Sequence, residues 1–243
     1  MMHYDEPMFD REDLRMGWKS ARARALARGV IAGFALLAAG AVAAHHRGYG
    51  AAGRPGEFDA YLLSWSWSPA FCAGRPGDPE CHGPRPYGFV VHGLWPQREH
   101  GRIEYCRTRQ RVPADLARSL GNLLPDRRLA FHEWRAHGSC SGLDPGSYFA
   151  LLRRAATRFV VPPHLRAPAV ARLLRPSQLA AEIERANPAF GARSLAVFCG
   201  HGTPPRFTEL RLCLTRALEP RTCPAAVLAA ACHAPLLEVL PLR

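Results

Sequence analysis

The chain has 243 residues, 48% of them hydrophobic, enough for one core of ordinary size, and it holds no internal repeat or long low-complexity tract, which excludes a repeat array. Its formal net charge is +12, and the excess lies after residue 43, where 26 Lys and Arg face 15 Asp and Glu. A surface of that sign attracts polyanions, of which nucleic acid is the commonest, or simply serves solubility. Lys19 is the only lysine, so every cation after it is an arginine or a histidine.

At the N-terminus a basic stretch (Lys19, Arg22, Arg24, Arg28) precedes a 16-residue apolar run from Gly29 to Ala44. The run is short for a membrane span of about 20 residues and contains the small-x-small sequence Ala41-Val42-Ala43. Residues 1–43 therefore read as an export signal cleaved after Ala43, with an uncleaved anchor as the alternative. Residues 44–56, rich in Gly, Ala and His, read as a flexible linker, and residues 57–243 as one domain.

From Phe58 to Trp67, Tyr61, Leu63, Trp65 and Trp67 fall on one face at period two, which predicts a half-buried strand. Residues 73–88, dense in Gly and Pro and bracketed by Cys72 and Cys81, predict a loop cross-linked on itself. Phe89 to Trp95 predicts a short strand broken by Gly93. Helical spacing covers Ala114 to Leu124, Leu129 to His137 and Ser147 to Phe159. A fourth helix is expected from an N-cap at Ser177 to Arg185, stopped by Asn187-Pro188. Strands return over Ser194 to Cys199 and Phe207 to Leu214. The mixture predicts an α+β fold, a central and mostly antiparallel sheet flanked by helices. The eight cysteines all follow residue 70, an even number that suits disulfides formed in an oxidising compartment. Their spacings of nine residues or more do not match the tight Cys-x2-Cys pairs of zinc sites, and spacing alone does not choose the pairing.

Two segments carry most of the chemical information, FVVHGLWPQ from Phe89 to Gln97 and HEWRAHGSC from His132 to Cys140. RNA brings its own nucleophile, the 2′-hydroxyl. A nuclease without metal therefore needs one group to remove that proton and another to protonate the leaving 5′-oxygen. Imidazole titrates near neutrality and serves as either. His92, following a run of valines, and His137 are the candidate pair. On a helix of about 100° per residue, Glu133 and His137 share a face, His132 lies to one side, and Arg135 points away. The metalloprotease pattern HExxH is excluded, because the place of its second histidine holds Ala136. His82, His100, His164, His201 and His233 sit in loop-like or proline-flanked contexts and read as solvated or capping residues.

These segments resemble the two active-site segments of the RNase T2 family, HGLWP and HEW-x-KHG-x-C. The resemblance extends over residues 57–243, including Trp67-Ser68-Pro69 and the order of the cysteines. It implies a disulfide-stapled ribonuclease that cleaves single-stranded RNA through 2′,3′-cyclic phosphates, with no metal or other cofactor and no cleavage of DNA. His137 would be the general base, His92 the general acid, His132 a phosphate-binding residue, and Glu133 an aid at the phosphate. Trp95 is a candidate to stack on a base and Gln97 to hydrogen-bond a base edge, with Tyr87 a further aromatic near the cleft; for Trp95 and Tyr87 packing is the plainer alternative. The implied bridges are Cys72 with Cys81, Cys106 with Cys140, Cys199 with Cys232 and Cys213 with Cys223. A periplasmic or secreted monomer, without stable membrane association once the signal is removed, completes the expectation. The chain departs from the pattern at Ala136, where the family has lysine. A cation at the transition state must then be an arginine or protonated His132, and losing one such donor typically costs about 10²- to 10³-fold in rate. The expectation is a weakened nuclease, and the alternative an exported RNA-binding module of the same fold without activity.

Overall fold

The computed structural model describes residues 53–83, 86–100 and 103–242. The predicted export signal and most of the segment 44–56 lie outside these residues. Gly53 and Gly56, at the end of that expected linker, are packed against the domain. A Cβ on Gly53 would sit 2.5 Å from Ile103, and the Gly56 N–H donates to the Cys140 carbonyl at 2.9 Å.

The alternation read over residues 58–67 becomes strand β1 (Ala60–Trp67). Tyr61, Leu63 and Trp67 are buried on one face, while Leu62, Ser64 and Ser66 look to the other. β1 is flanked on one side by β2 (Phe89–Gln97) and on the other by β5 (Pro205–Thr215), antiparallel to both. β4 (Leu195–Gly202) adds to β5, also antiparallel. Two three-residue strands, β3 (Arg172–Leu174) and β6 (Leu237–Val239), extend the sheet to the order β2-β1-β5-β6-β3. The single parallel contact described is that of β5 with β6, so the expected mostly antiparallel sheet is present.

Helices cover the face bearing Leu63, Trp67 and Leu210. They are α1 (Ser68–Gly74), α2 (Ala114–Ser119), α3 (Arg127–Ala136), α4 (Pro145–Ala156), α5 (Pro163–Arg166) and α6 (Pro176–Ala186), whereas α7 (Ala225–Ala229) packs on the other face. Leu152, Leu165, Leu179 and Ile183 from α4, α5 and α6 join that core, while α7 supplies Val227 to a smaller cluster with Leu62, Trp95 and Cys213 on the opposite face. Among the described residues no helix is long and apolar enough to cross a membrane.

Several boundaries differ from expectation. The helix expected over 114–124 stops at Ser119, and Leu120 and Leu124 are buried instead through a turn closed by Leu124 N–H to the Leu120 carbonyl at 2.9 Å. Ser177 is not an N-cap. α6 starts at Pro176, whose missing N–H suits a first helical position, and Gln178 Oε1 accepts the Arg175 N–H at 2.9 Å. α4 starts two residues early, where Asp144 accepts the Ser147 N–H at 3.0 Å, and ends at Ala156. The segment 73–88 is less irregular than its composition implied, holding the end of α1 and a 3₁₀ turn over Pro79–His82. All four implied bridges are formed, Cys72–Cys81, Cys106–Cys140, Cys199–Cys232 and Cys213–Cys223.

Candidate active site

The site forms on the sheet face opposite the main core, and a bulge in β2 creates it. Gly93 pairs with Ser64 and Val91 with Trp65, so His92 has no partner on β1 and its side chain shares a face with that of its neighbour at 93. Two adjacent side chains on one face would crowd each other, and glycine at 93 removes the conflict. The space is already taken: a Cβ on Gly93 would lie 1.8 Å from Glu133 Oε2 and 2.4 Å from Trp95 Nε1.

Trp95, two residues on, returns to the same face. Its indole N–H donates to Glu133 Oε2 at 2.7 Å. Its ring meets His92 edge-on, with centroids 5.2 Å apart, and stacks on His137 at 4.9 Å and 27°. The two imidazoles flanking this one indole therefore lie no more than about 10 Å apart. Trp95 is 9% exposed, a ring committed to neighbours rather than one open to a base.

Helix α3 presents Glu133 fully buried, with Oε1 3.6 Å from His92 Nε2. The helix ends one residue sooner than expected. His137 is its C-cap, with φ −124° and ψ −52°, and its N–H still donates to the Glu133 carbonyl at 3.0 Å. The ring thus leaves the helical wheel and turns onto Trp95. His132 is half-buried on the same helix. Arg135 is exposed and lines a groove with Tyr105, Arg107 and Arg111 whose walls include none of these histidines, and Ala136 is buried. The helix therefore supplies no cation at the position of the family's lysine. Gln97 is half-buried at the end of β2, its amide donating to the Pro96 carbonyl at 2.9 Å.

Sequence reasoning missed the groups that β1 and β5 contribute. Across β1, which at this point carries only the small Ser64 and Ser66 on this face, with Leu62 further along, Glu209 of β5 reaches to within 3.8 Å of His92 Nδ1. Adjacent strands lie about 4.8 Å apart, so β2 and β5 are about 10 Å apart and only small residues between them allow that contact. Ser66 Oγ stands 3.2 Å from the same Nδ1. Arg211 Nε donates to Glu209 Oε1, and its guanidinium lies over the rings of Phe198 (4.0 Å) and Trp95 (5.0 Å). The available signal was a Glu-x-Arg pair inside the apolar run Phe207 to Leu214, two charges on one face of a strand.

Burial and charge set unlike states for the two carboxylates. Burial pushes Glu133 up to about 7, against the opposing pull of His92 and the Trp95 hydrogen bond. For Glu209 burial acts in the same direction, but Arg211 and His92 overcome it and hold the group down to about 2. Burial pulls His92 down, and Glu209 with Glu133 outweighs it, leaving the imidazole above its ordinary value. Through the acid range His92 thus faces one ionised and one protonated carboxyl. Among the described residues no group of three or more His, Cys, Asp or Glu side chains could hold a metal ion.

The family described as Ribonuclease T2 family matches residues 58–223. A ribonuclease of Aeromonas hydrophila is 44% identical over 102 residues, 42% of this chain and 46% of that protein, so the chain spans about half the length of this curated relative. Among solved structures, RNase NT in complex with 5′-AMP superposes with a TM-score of 0.61 at 20% identity, covering 77% of this chain and 100% of that one. A mutant of RNase MC1 in complex with 5′-UMP gives 0.55 at 21% identity, covering 67% and 90%. At such identities these likenesses establish the α+β fold. Both histidine-bearing segments fall inside the matched stretch, and the chain belongs to the ribonuclease T2 family.

Proposed function

We propose that the protein is an exported endoribonuclease that cleaves single-stranded RNA by transphosphorylation with a histidine pair. The observation that carries this reading is the packing of His92 and His137 around Trp95, which brings two groups able to give and take protons against one indole. His137 removes the 2′-hydroxyl proton, the 2′-oxygen attacks phosphorus, and the departing 5′-oxygen takes a proton from His92. The products are a 2′,3′-cyclic phosphate and a free 5′-hydroxyl. Water then opens the cyclic ester with the two roles reversed. His132 is assigned to the phosphate and Glu133 to orienting His92. Trp95 acts by positioning, and base contacts fall to more exposed groups such as Tyr87, 42% exposed, and the Gln97 amide. No step calls for a metal or DNA. Four disulfides require an oxidising compartment, which supports a periplasmic or secreted location after signal removal, as a monomer.

The test is incubation of the oxidised protein with single-stranded RNA, and with DNA of the same sequence, from pH 4 to 8 in excess EDTA, followed by end-group analysis. RNA-only cleavage to cyclic phosphate ends, lost in His92→Ala and His137→Ala, is expected. Folded wild type that binds RNA without cutting it would move the protein to the inactive RNA-binding alternative, the reading that Ala136 favours.

A further inference from the structure

We propose that Glu209, held in place by Arg211, is a further positioning residue of this site: it fixes the ring of His92 with Nδ1 protonated, so that Nε2 is the nitrogen that serves the leaving oxygen. The inference rests on the ribonuclease reading for the identity of that oxygen, but the contact itself does not.

Glu209 is 6% exposed, and a carboxylate so placed needs partners. It has two, Arg211 on its own strand and His92 two strands away. Burying ionised pairs is a poor route to stability, since apolar side chains of similar size usually serve as well. Here Leu62, Trp95 and Ala196 already form an apolar cluster on the same face, into which a leucine at 209 or 211 would fit by chemistry. A charge pair kept there instead, and aimed at an imidazole, points to work on that imidazole. The geometry is specific to one nitrogen. Nδ1 faces the Glu209 carboxylate, an acceptor, with Oε2 at 3.8 Å, and the Ser66 hydroxyl at 3.2 Å, whose Oγ can accept as well as donate, so the negative charge of Glu209 favours a proton on Nδ1 in both the neutral and the charged ring. Nε2, on the other side of the ring, is left towards Glu133 Oε1 at 3.6 Å.

Arg211 completes the device. Its guanidinium is clamped between the rings of Phe198 and Trp95, which fixes where Glu209 can be. The groups facing His92 are Glu133 from α3, Glu209 and Arg211 from β5, Ser66 from β1 and Trp95 from β2, with Glu80 acting from the 3₁₀ turn at longer range. Of the carboxylates, Glu209 stays ionised through the acid range while Glu133 does not, so Glu209 is the one whose charge His92 feels throughout.

The experiment is an NMR titration of the His92 ring nitrogens in the oxidised protein, assigned by difference from His92→Ala, alongside the pH profile of kcat/KM. Wild type, Glu209→Gln, Glu209→Asp and Arg211→Gln are compared. Glu209→Gln keeps the size and removes the charge, and an opposite charge at this range shifts a titration by about 1 to 3 pH units. Its His92 midpoint and the alkaline limb of its profile should both move down by that amount, with Glu209→Asp lying between it and wild type. Arg211→Gln should move the midpoint up, because Arg211 now holds it down. If Glu209→Gln fails to fold, Glu209→Asp still reads the same coupling. An unmoved midpoint and an unchanged Nδ1–H signal in a folded variant would overturn the proposal, leaving Glu209 a structural ion pair. A wild type that does not cut RNA, yet shows the His92 shift, would remove the ribonuclease reading and leave the assignment of Glu209 intact.

Discussion

Replacing Gly93 by alanine should damage stability and activity together. The new methyl group would lie 1.8 Å from Glu133 Oε2, and even a separation of 3.0 Å demands a retreat of about 1.2 Å. Such a retreat breaks the 2.7 Å hydrogen bond from Trp95 to a carboxyl that is fully buried. Overpacking costs about 1–3 kcal/mol and loss of a buried bond about as much again, so about 4 kcal/mol is a central value. For a domain of this size that lowers Tm by about 10 °C. A displacement of about 1 Å in the group beside His92 should also slow RNA cleavage by about 10²-fold. Circular dichroism melts under oxidising conditions and initial rates on single-stranded RNA read both effects. Gly74→Ala is the control, since nothing lies within 4 Å of its added Cβ. Should Gly93→Ala melt and cut like wild type, Glu133 does not rest on the β2 bulge and the site is built otherwise.

Trp95→Phe keeps a ring between the histidines but removes the donor to Glu133, which should cost about 2 kcal/mol in urea unfolding and raise the Glu133 titration further. Removing the Cys106–Cys140 bridge with the double alanine variant frees a loop of 34 residues, worth about 4 kcal/mol on the chain-entropy model, and should loosen the end of α3 first, seen as faster amide exchange at His137. Stability should also depend on pH with a definite sign. Glu133 and His92 titrate higher in the folded chain than in the unfolded one, so the fold binds extra protons and loses stability as pH rises, from about 4.5 through about 7 for Glu133 and then through the raised value of His92. Glu209 acts oppositely: its contribution is full above about 4.5 and is lost as pH falls towards about 2. Urea midpoints should therefore peak near pH 5 and decline towards pH 7.5, by up to about 3 kcal/mol from Glu133, and Glu133→Gln should flatten that decline; a wild type most stable at pH 7.5 would contradict these states.

Periodicity made the long elements legible. β1, β2, β5, α3, α4 and α6 each carry enough apolar repeats to declare themselves, whereas α5 and β3, with four and three residues, are too short to show any period. The helix over 114–124 was overread because Leu120 and Leu124 have helical spacing but are buried by a turn. In the site, His92, Glu133 and His137 were visible through their motifs. Glu209 and Arg211 were not, because their contact with His92 crosses a whole strand, and because pairing with β4 skips Thr208, so that Phe207 and Glu209 do not share the face that simple alternation assigns them. The same limit hid the role of Ser66, a small polar residue whose meaning lies in what it lets pass over it.

The charges of this cluster also bear on the alanine at 136. The family's lysine would bring a cation in from α3, on the histidine side of Glu133. Here α3 brings none, and a guanidinium enters from β5 to lie over Trp95, the ring against which both imidazoles pack. In the acid range charged His92, ionised Glu209, Arg211 and protonated Glu133 leave one net positive charge, which matches a single phosphodiester. Once Glu133 ionises, near 7, that excess is cancelled and the site no longer favours an anion. The cation on the sheet is partly spent on Glu209, to which Arg211 donates. The arrangement predicts electrostatic help at acid pH that is given up at neutral pH, and an RNA-cleavage rate that rises in Ala136→Lys; an Ala136→Lys variant no faster than wild type would contradict it.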